Sequence, residues 1–122
     1  MDTEETLRRL TIRDEEYVDA ILSHDPDGIV TSSLEPKTRA LVRIGALVSI
    51  DAAPASYLAT IESGLRHGAT ADEIVSVLIA VMPSIGSARV VSAAPKLGLA
   101  LGYDVSEDLE RPPRRPPHAD GT

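Results

Sequence analysis

The sequence contains no cysteine, no tryptophan and no phenylalanine, and its only aromatic residues are three tyrosines. Without thiols there is no disulfide, no thiolate metal site and no thiol-based redox chemistry. Without Trp or Phe the usual platform for stacking nucleic-acid bases is missing. Cations are also in the minority: twelve Lys and Arg stand against nineteen Asp and Glu, a net charge of −7. Neutralising a phosphate backbone needs an excess of clustered cations, so this balance argues against nucleic acid as a partner. Long apolar runs are absent too. The longest, Ile74 to Ile85, already holds Ser76, Pro83 and Ser84. Extending it to the roughly 20 residues of a membrane span brings in Arg89, so no membrane partner is expected. The start, Met1-Asp2-Thr3-Glu4-Glu5, is acidic where a signal peptide is basic and then apolar, which points to a cytoplasmic protein.

What is present is helical. At 122 residues, 43% of them hydrophobic, the chain supports one domain with an aliphatic core. The apolar residues recur with a period near 3.6 almost throughout, and no alternating strand pattern appears, so the fold class is all-α with five to six helices. A first amphipathic segment spans Thr3 to Ser23, with Leu7, Leu10, Tyr17, Val18, Ile21 and Leu22 on its apolar side. Asp25-Pro26-Asp27-Gly28 ends it as a turn, and Ile29 to Leu34 form a short loop. Pro36 opens the second helix, where its missing amide costs nothing, and Leu41, Ile44, Leu47 and Val48 make its buried stripe. Glu35 and Arg39 stand four apart, the spacing of a helix-surface ion pair.

Asp51-Ala52-Ala53-Pro54 interrupts the pattern before a third helix, Ala55 to His67, built on Leu58, Ile61 and Leu65. Gly68 caps it, with Arg66 and His67 in the last turn where cations suit the helix dipole. Thr70-Ala71-Asp72-Glu73 reads as a capping box. The body it opens, Ile74 to Met82, is apolar nearly all round and should be buried on most sides, with Pro83 and Gly86 ending it. A last helix, about Ser84 to Leu101, carries small residues at a spacing of four: Gly86, Val90, Ala94, Gly98 and Gly102. Pro95 is expected to kink or divide it. From Glu107 onward the Arg/Pro run reads as a mobile tail, with a PxxP spacing from Pro113 to Pro116. The domain layout expected is an N-terminal helix and turn over 1–29, a helical domain over 30–104 and the tail over 105–122.

Three features in order, Lys37-Thr38-Arg39 opening an apolar helix, His67-Gly68-Ala69-Thr70 with Asp72-Glu73-Ile74, and the apolar helix pair that follows, resemble the carboxymuconolactone decarboxylase family, which includes the alkylhydroperoxidase D-like proteins. The resemblance covers roughly residues 30 to 104. It implies an all-helical domain that assembles into a homo-trimer or homo-hexamer, which suits the over-apolar fourth helix.

The resemblance also marks what this chain has lost. The family's peroxidase branch has a glutamate in the second helix, then a CxxC pair with a histidine four residues later. By that spacing the glutamate position falls on Ala40, the cysteine positions near Ala52 and Ala55, and the histidine near Ala59 or Thr60. Thiol peroxidase chemistry therefore has no nucleophile, no resolving thiol and no base. Around these positions Arg43 lies one turn beyond Ala40, and Arg89 sits in an aliphatic run. An alanine-lined pocket presenting an arginine would take a small apolar carboxylated ligand, with Arg43, Arg89, Ala40, Ala52, Ala55, Ala59 and Thr60 as its residues. The alternative is that the two arginines pair with Glu35, Asp51 or Glu62.

Two functions follow. One is a non-catalytic homo-oligomer that binds a small molecule or serves in assembly. The other is a decarboxylase-like lyase on a small carboxylated ring compound, with Glu62 or His67 supplying the proton. His67 has the plainer role of satisfying carbonyls at a helix end. His24, in a turn, and His118, in the tail, share no metal-ligand spacing with it, so no metal and no cofactor are expected. Ser84, Ser87 and Ser92 lack a local base, which leaves serine catalysis without support.

Overall fold

The computed structural model describes residues 2–23 and 33–103. The turn around Asp25–Gly28, His24, the PxxP spacing and His118 lie outside the described residues. The described residues form six helices and no strand: α1 (Thr3–Thr11), α2 (Glu15–Ser23), α3 (Pro36–Ser49), α4 (Pro54–Arg66), α5 (Ala71–Ile85) and α6 (Ser87–Ala100). The all-α class is the one the periodicity implies.

The N-terminal segment is two helices rather than one. Asp2 caps α1 by accepting from the Glu5 amide. The chain then breaks at Arg13, whose φ of +52° is a left-handed conformation that a β-carbon disfavours. Asp14 restarts it, its carboxylate accepting from the Tyr17 amide at 3.2 Å. Glu5 holds both Arg8, at 2.7 Å, and Arg9, at 3.1 Å. The Arg9 guanidinium also lies 5.5 Å from the centre of the Tyr17 ring, tying α1 to α2. Those two arginines hold the Glu5 carboxyl down to about 2. Neither helix buries a residue fully, and Leu7, Leu10, Ile21 and Leu22 stay exposed.

The core belongs to α3–α6. Helix α3 packs on the other three, and α6 packs on α3, α4 and α5. Ile44 and Val48 of α3, Tyr57 and Ile61 of α4, Ile74 of α5, and Ala93 and Leu97 of α6 have almost no exposed surface. Leu41 and Leu47 border this cluster, so the expected α3 stripe is centred on Ile44 and Val48 with the leucines at its margins. On α4, only Ile61 of the expected trio is buried. Leu58 and Leu65 point outward, and the face that turns inward carries Tyr57, Ile61 and Gly64.

Two glycines close the turns where a left-handed backbone is needed. Gly68, at φ +91°, ends α4, with its amide donating to Leu65, while Ala69 donates to Gly64. Gly86, at φ +85°, separates α5 from α6. Pro83 does not end its helix, and Pro95 does not divide its own. Pro83 lies inside α5, which continues to Ile85, and α6 runs through Pro95. The carbonyls these prolines leave without an amide belong to Ile79 and Val91, which are exposed, so water satisfies them cheaply. The expected Glu35–Arg39 pair is also absent: Glu35 is the N-cap residue with extended backbone, off the helical face that the spacing assumes.

Tyr57 is the largest fully buried side chain, yet its hydroxyl has no hydrogen-bond partner. The ring does the packing and the hydroxyl opposes it. Tyr57→Phe should therefore keep or raise the unfolding free energy, by on the order of 1 kcal/mol. Tyr57→Ala should lower it by about 3–5 kcal/mol through the cavity it leaves. Urea denaturation of the two variants against the parent measures both.

Candidate functional site

The two segments flanking the core's start are joined by a charged contact. Thr70 and Glu73 form the capping box of α5: the Glu73 amide donates to the Thr70 hydroxyl at 3.1 Å, and the Thr70 amide to the Glu73 carboxylate at 2.9 Å. The second carboxylate oxygen of Glu73 accepts from Lys37 at 3.2 Å. One acid thus caps a helix and anchors the first turn of α3. The Thr70 amide, and then Lys37, hold its carboxyl below the usual value.

A turn further along α3, Ala40 is 3% exposed. A β-carbon built on Gly64 would stand 3.4 Å from that of Ala40 and 3.7 Å from that of Ala69. Ala40 is thus part of a close helix crossing. Thr60 lies one turn before Gly64 on α4 and is half-buried. Ala52, in the α3–α4 connection, is buried with the core. Ala55, Ala59 and Glu62 are exposed on the opposite side of α4. In a single chain the seven expected ligand positions therefore divide. Ala40, Thr60 and Ala52 face inward, while Ala55, Ala59, Arg43 and Arg89 are exposed.

The polar cluster gathers around Asp51 instead. This residue sits in the α3–α4 turn with φ +53°. Its carboxylate accepts from the Ser92 hydroxyl at 2.7 Å and from Lys96 at 3.1 Å, and Arg89 approaches to 3.9 Å. Lys96 also donates to the Ala52 carbonyl at 3.1 Å. Arg89, Ser92 and Lys96 recur along one face of α6, so one acid clamps that face to the turn. Ser92 first, then Lys96, hold the Asp51 carboxyl below its ordinary value. Burial first, and the Asp51 charge second, push the Tyr57 phenol up. Of the two weak acid–base candidates, Glu62 is exposed, and His67 closes α4 with Nδ1 at 2.8 Å from the Ser63 carbonyl.

Sequence reasoning named Asp51 as a possible partner of Arg89 but missed Lys96, and weighed Ser92 only as a nucleophile. Their spacing of three and seven from Arg89 was the available signal. It also placed Arg39 in a surface pair with Glu35, whereas the Arg39 Nε is buried with no hydrogen-bond partner. Among the described residues no group of three His, Cys, Asp or Glu is placed to hold a metal ion. No helix among them is long and apolar enough to cross a membrane.

Two packed helical hairpins, with an acid-anchored α5 and small residues at the α3–α4 crossing, define a helical domain of the type the sequence resembles. The chain belongs to the carboxymuconolactone decarboxylase family, whose model matches residues 15–97, so that α2 lies inside the match and α1 outside it. With no cysteine anywhere, it is a member without the CxxC pair. No curated protein and no solved structure matches the chain.

A carboxyl depressed by native partners stabilises the fold above its unfolded value and stops doing so as pH falls through its folded value. Asp51→Asn should therefore be less stable than the parent at neutral pH. The difference should narrow as the pH drops below 3.8, the ordinary value of this carboxyl. Urea midpoints of parent and variant across that range test it.

Proposed function

We propose that this protein is a cytoplasmic homo-oligomer, a trimer or hexamer, that has given up the family's thiol chemistry and serves in assembly or in holding a small carboxylated molecule. The observation that carries the reading is the outer face of α5. From Ile74 to Ile85 the helix has no charged side chain, and Val75, Ile79 and Met82 form one exposed stripe, Ile79 at 70%. The expectation that this helix is buried on most sides is not met within one chain, where only Ile74 and Leu78 are buried. A helix apolar all round requires cover on its second face, and another copy of the same chain supplies it with closed symmetry.

Chemistry argues in the same direction. The positions of the family's acid, thiols and histidine hold alanines and a threonine, and two of them are spent on core packing. The ligand half of the reading draws on Arg43, exposed on α3, with Ala55 and Ala59 exposed on α4, where a neighbouring copy would complete the walls. The lyase alternative lacks a comparable observation: Glu62 is exposed, and His67 spends Nδ1 on the end of its own helix.

Native mass spectrometry of the purified protein should show a trimer or hexamer, and Ile79→Glu should convert it to monomer while far-ultraviolet circular dichroism keeps its helical signal. A reproducible extra mass on the assembly that disappears in Arg43→Ala would identify the ligand. An assembly with no extra mass would leave the assembly role alone, and a monomeric parent would sink the reading.

A further inference from the structure

Helix α5 carries a donor and an acceptor inside its apolar outer face. Pro83 has no amide to give the Ile79 carbonyl, so that acceptor opens beside the most exposed aliphatic side chain of the helix. Three residues earlier stands Ser76, exposed, its hydroxyl in no hydrogen bond among the described residues. Val75 and Met82 flank the two, and no side chain from Ile74 to Ile85 is charged. In water both polar groups are solvated. Under an apolar cover the carbonyl needs a donor from whatever covers it.

A second α5 supplies that donor when it runs antiparallel. With the crossing centred on Ile79, Val75 of each copy stands against Met82 of the other. A helical carbonyl points along the axis toward the C-terminal end, and that is where the other copy's Ser76 arrives. The ends match in charge as well. Asp72 is exposed, with no hydrogen bond or ion pair among the described residues. In this register it faces the other copy's Gly86, where α6 begins with no side-chain cap and no acid in its first turn. The free amides of a helix start carry partial positive charge, so each end joins an unpaired acid to an uncapped helix. A parallel crossing opposes Asp72 to Asp72 instead. The outer face of α6 is a poorer match for α5. Pro95 frees the Val91 carbonyl there, but the residue three before it is Ala88, which offers no side-chain donor.

We infer that the copies pair through a two-fold axis at Ile79, α5 antiparallel on α5, with each Ser76 hydroxyl donating to the other copy's Ile79 carbonyl and each Asp72 set at the start of the other copy's α6. The inference rests on the self-association proposed above and deepens it. Of the two sizes named there, the hexamer contains such pairs and the trimer does not.

The absence of native cysteine lets disulfides report the register. Full-length Ile79→Cys should link to itself under mild oxidation, with the covalent dimer as the main product by intact mass. Val75→Cys and Met82→Cys chains should stay unlinked when separate and link when mixed. Val75→Cys linking to itself as readily overturns the antiparallel crossing. So does Ile79→Cys that stays single while native mass spectrometry shows its assembly intact. A trimeric parent overturns this inference and leaves the self-association reading standing; a monomeric parent overturns both. Dilution followed by native mass spectrometry tests the hydrogen bond. Ser76→Ala should weaken pairing by on the order of tenfold, because it covers a carbonyl without a donor. In a Pro83→Ala background, where the new amide takes the Ile79 carbonyl, the same change should have almost no effect. An equal loss in both backgrounds overturns the donor–acceptor assignment.

Discussion

Burial of the Ile44–Val48 stripe of α3 is the contact on which the rest of the core depends. With neither thiols nor large aromatics to spare, the chain must gain its stability from close aliphatic packing, and α3 is the helix that touches the other three. That requirement explains why small residues line its approach to α4: Ala40, Gly64 and Ala69 let the backbones come together. It also explains the polar supports at its two ends. Lys37 reaches Glu73 at the start of α5, and Asp51, just beyond the last turn, collects Arg89, Ser92 and Lys96 from α6. Both supports are exposed ion pairs, individually weak, and their effect is to set how neighbouring helices meet α3.

The same packing bears on the chemistry the family would otherwise suggest. A redox or acid–base site in this fold needs a nucleophile and a base at positions around the α3–α4 hairpin. Here alanines stand at most of them, and Ala40 is pressed against α4. The most polar gathering of side chains is at Asp51, where one carboxylate faces three donors and holds no unspent nucleophile. The surface, by contrast, carries exposed aliphatic side chains on several helices. The outer sides of α2, α3 and α5 each leave aliphatic side chains uncovered, and the charges beside them differ in sign from helix to helix. The self-association proposed above would draw on these uncovered faces.

Much of this was legible in the chain itself. The helical period, Pro36 at the start of α3, the capping box at Thr70–Glu73 and the Gly68 cap are local features, set by backbone geometry and by partners within four residues. The family resemblance and the loss of its reactive groups were legible for the same reason, since they depend on residue identity and spacing. Less could be read where an element's fate depends on a distant neighbour. The first helix divides at Arg13 although its pattern runs on, and Pro83 and Pro95 remain inside helices because the carbonyls they strand lie on exposed sides.

Which face of each helix turns inward was a tertiary decision. Periodicity could not separate Tyr57 from Leu58 on α4, because both sit on apolar arcs; the geometry of the α3–α4 crossing chose Tyr57 and left its hydroxyl without a partner. Nor could spacing along the chain show that Lys96 and Ser92 meet Asp51, more than forty residues away, or that Arg39 lacks the acid four residues before it. The sequence by itself determined the helical class, the starts and caps at Pro36, Gly68 and Thr70–Glu73, and the thiol chemistry that is impossible here, because those follow from local sterics and from which atoms are present. The tertiary structure alone decided the buried partners, the Asp51 cluster and the uncovered faces of α2, α3 and α5, because those depend on which surfaces are brought within a few ångströms of one another.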